Sequence, residues 1–137
     1  MRKFATTLAL ALGVVGSAVA AAQAPAESPM YGVWLNHKGN VKVETKPCGQ
    51  FLCGTIVWAS ADAQKEARAA GTDNLVGMQL LKAYKPTTKG EWEGSVFVPD
   101  LKRTFYSRLY RLSDNKIRIS GCILGGLLCK YQTWTRQ

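Results

Sequence analysis

Turn signals recur about every ten residues along most of this chain, and that rhythm limits its fold more than any other feature. His37-Lys38-Gly39-Asn40, Pro47-Cys48-Gly49, Lys85 to Gly90, Pro99-Asp100, Ser113-Asp114-Asn115 and Gly125-Gly126 punctuate a series of short runs. Those runs read as strands. Val41, Val43 and Thr45 alternate with Lys42, Glu44 and Lys46, which gives one wet face. Cys53 to Trp58 is a β-branched apolar run suited to a buried strand. Tyr31–Asn36, Val76–Tyr84, Glu91–Val98, Arg103–Leu112, Lys116–Leu124 and Leu127–Arg136 complete the set. Ser60 to Gly71 differs: its Ala-, Lys-, Glu- and Arg-rich composition predicts a short helix or ordered surface loop, with Ser60 as N-cap and Gly71 as the stop. The expected fold is all-β with one short helix. It is an antiparallel up-and-down meander of about eight strands, closed into a barrel because closure removes exposed strand edges.

The N-terminus reads as a targeting segment rather than part of that fold. Arg2 and Lys3 precede an uncharged stretch from Thr6 to Ala20. Small-x-small patterns follow at Ala18-Val-Ala20, Ala20-Ala-Ala22 and Ala22-Gln-Ala24. This order is that of a cleavable signal peptide. The reading is therefore a signal peptide over 1–22, a flexible tether over 23–30 and one barrel domain over 31–137, delivered to the periplasm or beyond. No later segment is long and apolar enough to span a bilayer. The formal charge is +9, or +7 without Arg2 and Lys3. Such a balance suits weak attraction to anionic envelope material, and in an exported protein nucleic acid is not an expected partner.

Four cysteines fit the oxidising compartment that export implies. Cys48, Cys53, Cys122 and Cys129 allow three pairings, of which local order favours Cys48–Cys53 and Cys122–Cys129. Their C-x4-C and C-x6-C spacings are not those of zinc knuckles, so no metal is expected. With Gly125-Gly126 as a two-residue turn, counting outward sets Cys122 opposite Cys129 at a hydrogen-bonded pair, with Cα atoms about 5.5 Å apart. That separation allows a disulfide. The same count exposes a conflict. If Lys116, Arg118 and Ser120 face water, then Leu128, Lys130, Gln132 and Trp134 face the core, where Lys130 and Gln132 are out of place. A bulge that resets the register, or an open rim at Lys130, is the expected resolution; a partly polar interior is the third option.

Several stretches together resemble a known bacterial family. They are Gly32-Val33-Trp34, Cys48-Gly49-Gln50-Phe51-Leu52-Cys53-Gly54, Thr55-Ile56-Val57-Trp58, the run from Gly121 to Cys129, and Gln132-Thr133-Trp134-Thr135-Arg136. The mature chain is similar throughout to the "domain of unknown function 2147" family. Pro99 to Tyr106 resembles that family's Pro-x-x-Gly-Lys-x-Tyr turn, departing from it with Leu101 in place of Gly and Arg103 inserted before Thr104. Asp73-Asn74 resembles a shortened form of the family's Asp/Asn/Pro-rich loop. The resemblance implies a secreted or periplasmic protein of lipocalin-like fold, in a family with no established biochemical role. Gly32-Val33-Trp34 with the late Arg136 also resembles the lipocalin signature, which implies structural roles for Gly32, Trp34, Trp134 and Arg136, with Arg136 stacked on Trp34 at one barrel end.

No catalytic constellation stands out. His37 lies in a polar turn, Glu91 and Glu93 share a wet strand face, and no Gly-rich phosphate loop is present. The chain is not expected to be an enzyme or to need a cofactor. Aromatic residues are the better hint, since an eight-stranded barrel can just enclose one small ligand. Trp58, Phe97, Tyr106, Arg108 and Tyr110 are the candidate ligand-binding residues, the last three as a stripe on one strand face suited to an anionic or aromatic group. The leading expectation is a periplasmic module binding a small apolar or amphipathic molecule. The alternative is a filled barrel that acts through its surface on an envelope component or a protein partner. A cavity separates the two.

Overall fold

A computed structural model describes residues 13–137. The charged n-region and the first part of the apolar stretch read as a signal peptide lie outside the described residues. Eight antiparallel strands close into a barrel in sequence order: β1 (Gly32–Leu35), β2 (Val41–Cys48), β3 (Phe51–Ala59), β4 (Gln79–Pro86), β5 (Trp92–Val98), β6 (Arg103–Ser113), β7 (Lys116–Ile123) and β8 (Leu128–Arg136). One helix, α1 (Ala61–Ala69), joins β3 to β4. Ser60 caps it by accepting from the Ala63 amide at 3.1 Å, and Ala63 and Ala67 turn inward. The alternation seen in the sequence sets the pleat. Val43, Ile56, Leu81, Val96, Leu109, Ile119 and Trp134 are buried, while Lys42, Arg108 and Arg118 sit on the other parity and Trp58 is turned outward by the register shift opposite Lys42/Val43.

The two ends of the barrel differ. At one end Trp34, Leu52, Leu81, Tyr84, Trp92, Leu109 and Ile117 fill the interior. Gly94 permits this packing, because a Cβ there would lie 2.6 Å from the Tyr84 ring and 2.8 Å from the Lys82 carbonyl. Arg136 seals that end. Its guanidinium carbon lies 4.2 Å from the centre of the Trp34 ring. It also donates to the carbonyls of Tyr31 (2.9 Å), Pro29 (2.7 Å) and, through Nε, Asp114 (2.8 Å). The buried Trp34 indole donates to Thr45 Oγ1 at 3.0 Å. Ordered packing starts before Tyr31: Met30 is a core residue, and the Ala24 amide donates to the Gly49 carbonyl at 2.9 Å. The segment expected as a tether is thus held at its two ends.

Both disulfides join neighbours in sequence, Cys48–Cys53 and Cys122–Cys129. Cys122 opposes Cys129, but at a Cα separation of 4.1 Å rather than the expected 5.5 Å. The pair is therefore not a hydrogen-bonded one. The ladder agrees: Arg136 N–H donates to the Asn115 carbonyl, and alternation from there makes 121/130 and 123/128 the hydrogen-bonded pairs. The turn takes four residues, Leu124 to Leu127, because Leu124 adopts positive φ along with both glycines. No bulge interrupts β7–β8 from Lys116↔Thr135 to Ile123↔Leu128, which rules out the expected register reset. Lys130 and Gln132 do face inward, on the half of the barrel that is not filled.

Candidate functional site

Above the filled half, the barrel is hollow. A cavity of about 440 Å³ opens at the end formed by the β1–β2 turn, α1, the β5–β6 turn and the β7–β8 hairpin. Its deep wall is apolar and comes from six strands: Val43, Ile56, Leu80, Val96, Phe105 and Ile119. Trp134 is the deepest β8 residue on that wall. Its indole N–H donates to Gln132 Oε1 at 3.1 Å, which fixes both side chains. Ala63, Ala67 and Leu75 from the β3–β4 connection cover part of the opening. The polar groups gather toward the mouth: Asn36, His37 and Lys38 from the first turn, Glu66 from α1, Asp100 from the β5–β6 turn, and Lys130 and Gln132 from β8.

The weakest seam of the wall runs beside this mouth. Strand β1 pairs with β8 only at Trp34↔Arg136 and Leu35↔Thr135. The chain then turns away at Asn36, where the side-chain carbonyl accepts from the Asn40 and Val41 amides. The first half of β8, with Lys130 and Gln132, therefore faces the β1–β2 turn without a ladder between them. Lys130 places a cation next to an apolar chamber.

Of the five residues singled out as ligand contacts, Phe97 lines this cavity. It does so from the mouth end of β5, half-buried, with Lys82 Nζ 5.3 Å from its ring centre. The other four stand on the outer wall. Trp58 is exposed and lies under the Lys42 ammonium. Tyr106, Arg108 and Tyr110 form one outer stripe: Arg108 Nε donates to Tyr106 Oη at 3.1 Å and approaches Glu93 at 4.0 Å. The hydrogen bond to Tyr106, with Tyr110 close by, pushes the pKa of the Arg108 guanidinium above its ordinary value. Arg108 is thus engaged by its own neighbours. The aromatic census pointed to these residues, whereas strand parity points to Phe105 and Leu109 as the inward residues of β6. That parity is the signal for the cavity wall on β2, β5, β6 and β7; register shifts interrupt it on β3 and β4.

Among the described residues no group of three or more His, Cys, Asp and Glu side chains is placed to hold a metal. No helix among them is long and apolar enough to cross a membrane. In the filled half, burial pushes the Tyr84 phenol well above its ordinary pKa. Neither Tyr84 Oη nor Ser107 Oγ has a partner of hydrogen-bond geometry.

No curated protein and no solved structure matches the chain. A family model does match, over residues 32–136, the whole barrel from the first residue of β1 to the last of β8. The chain belongs to DUF2147, a family of uncharacterized proteins conserved in bacteria.

Proposed function

We propose that this protein is exported to the periplasm, where the barrel holds a small amphipathic molecule with its apolar part in the cavity and an anionic head near Lys130. The half-hollow interior carries the reading: a chamber of about 440 Å³ falls in the range of roughly 300–1,000 Å³ occupied by small-molecule sites. Two disulfides in a small domain and the N-terminal pattern of charge, apolar stretch and small residues support export. Lys130 takes the part first given to Arg108, because Lys130 lines the chamber and Arg108 does not.

Gly121 offers a clean test. It sits on the inner wall opposite Lys130, and a Cβ there meets Val96 only at ordinary contact, 3.7 Å. A larger side chain at 121 grows into the cavity. Gly121→Leu is expected to keep the fold and to weaken binding of a fluorescent fatty-acid probe at least tenfold, while Lys130→Gln weakens anionic probes and spares neutral ones. Equal probe binding by wild type and both variants would remove the cavity from the account.

A further inference from the structure

The mouth of the cavity carries a feature that ligand binding alone does not use. Around the β7–β8 turn, Ile123, Leu124, Leu127 and Leu128 are all exposed, Leu124 by 71% and Leu127 by 88%. Leu101 on the β5–β6 turn is exposed by 59% and lines the same opening. Water is a poor environment for such a cluster, since exposed aliphatic residues of a monomer are usually scattered singly.

What surrounds the leucines identifies what they meet. From Lys116 to the C-terminus there are four basic residues and no acidic one. Lys130 lies just behind the tip, and Lys102 and Arg103 follow Leu101, outnumbering Asp100 before it. The three ion pairs among the described residues lie elsewhere, at Lys46–Glu44, Arg108–Glu93 and Arg111–Asp114. Tyr131 is also exposed, on the outer face of β8 beside Lys130, with Arg118 over its ring at 6.0 Å. Leu128 to Tyr131 spans three residues, about 10 Å along a strand. The hairpin therefore presents, in order, an aliphatic tip, then a lysine and a tyrosine, then an arginine. Aliphatic side chains suit the acyl region, tyrosine the headgroup level and basic side chains anionic headgroups. The Cys122–Cys129 bridge straps the hairpin directly behind the tip, so little order is lost when it inserts. A second copy of this chain fits the tip poorly, because it would bring the same cations against one another.

We propose that the β7–β8 hairpin docks on an anionic lipid bilayer, with Leu124 and Leu127 entering the acyl boundary and Lys130, Lys102 and Arg103 on the headgroups. The mouth then faces the membrane, and a ligand passes between bilayer and cavity without crossing water; this last step rests on the ligand reading above, the docking does not.

The probe is a set of vesicles, either pure phosphatidylcholine or the same lipid with phosphatidylglycerol, mixed with the chain from Gln23 onward, which holds every residue of the barrel. The protein is expected to co-sediment with the anionic vesicles, less so as salt rises, and to stay in solution with the neutral ones. Leu124→Asn with Leu127→Ser, asparagine being at ease with positive φ, is expected to lower partitioning tenfold or more with an unchanged melting temperature. Leu127→Trp is expected to shift its emission to the blue on anionic vesicles and to be quenched by brominated lipid. Gly121→Leu separates the two claims, since it fills the cavity and is expected to leave vesicle binding intact. Wild-type protein that stays in solution with both vesicle types overturns the docking. So does a concentration-dependent dimer that the leucine variant abolishes, which would assign the tip to a second copy.

Discussion

At the scale of the residue, Tyr84 and Arg136 show two ways of placing a polar group at the filled end. Arg136 meets three backbone carbonyls and one indole face, so its charge is hydrogen-bonded and its plane is stacked. Tyr84 is buried with its hydroxyl unpaired, a state that costs about 1–3 kcal/mol. Its raised pKa has a signed consequence. Below pH 10 the phenol is protonated in both the folded and unfolded chains. Above pH 10 the unfolded chain loses the proton and the folded one keeps it, so stability falls by up to about 1.4 kcal/mol per pH unit. Tyr84→Phe is expected to hold or raise stability at pH 7 and to flatten the decline between pH 10 and 11, as read from denaturant midpoints. Parallel curves for the two proteins would show that Tyr84 does not carry the alkaline loss.

Among the elements, the β7–β8 hairpin connects filled core, cavity and mouth. Ile117 and Trp134 oppose each other near the closed end, Gly121 and Lys130 at the cavity, and Cys122 and Cys129 on the outside. Closing loops this short stabilises a chain by about 2 kcal/mol per bridge in the chain-entropy picture. Replacing Cys122 and Cys129 together by Ser is expected to lower the unfolding free energy by about that amount. The same is expected for the Cys48 and Cys53 pair, and reductant should lower the wild-type melting temperature. An unchanged melt with four free thiols counted by mass would contradict this. The strands, the helix with its Ser60 cap and the inward set of β7 were legible in the sequence, because alternation and turn chemistry are local. The four-residue turn was not, since it depends on a leucine at positive φ, which glycines alone do not announce. The irregularities of β3 and β4 were equally silent: the register shifts opposite Lys42/Val43 and around Ala83, an alanine at φ 53°. Lys130 and Gln132 looked like errors of register in the sequence and turned out to mark where the interior is hollow.

Across the whole molecule, the barrel interior divides into a filled and a hollow half. Trp34 and Arg136 close one end, and the shortness of β1 leaves the other open beside Lys130. The aromatic residues picked from the sequence missed this division, because Trp58 and the Tyr106–Tyr110 stripe are large but outward. Volume left unfilled is a property of all eight strands together, and no single strand shows it. A chamber of this size and lining is expected to be occupied in the cell. Native mass spectrometry of protein recovered from the cells that make it, set against its denatured mass, is the deciding measurement. The expected result is a reproducible extra mass that is lost on denaturation, reduced in Gly121→Leu, and equal to that of a small amphipathic molecule. A bare native mass that stays bare after addition of envelope lipid extract would contradict the claim.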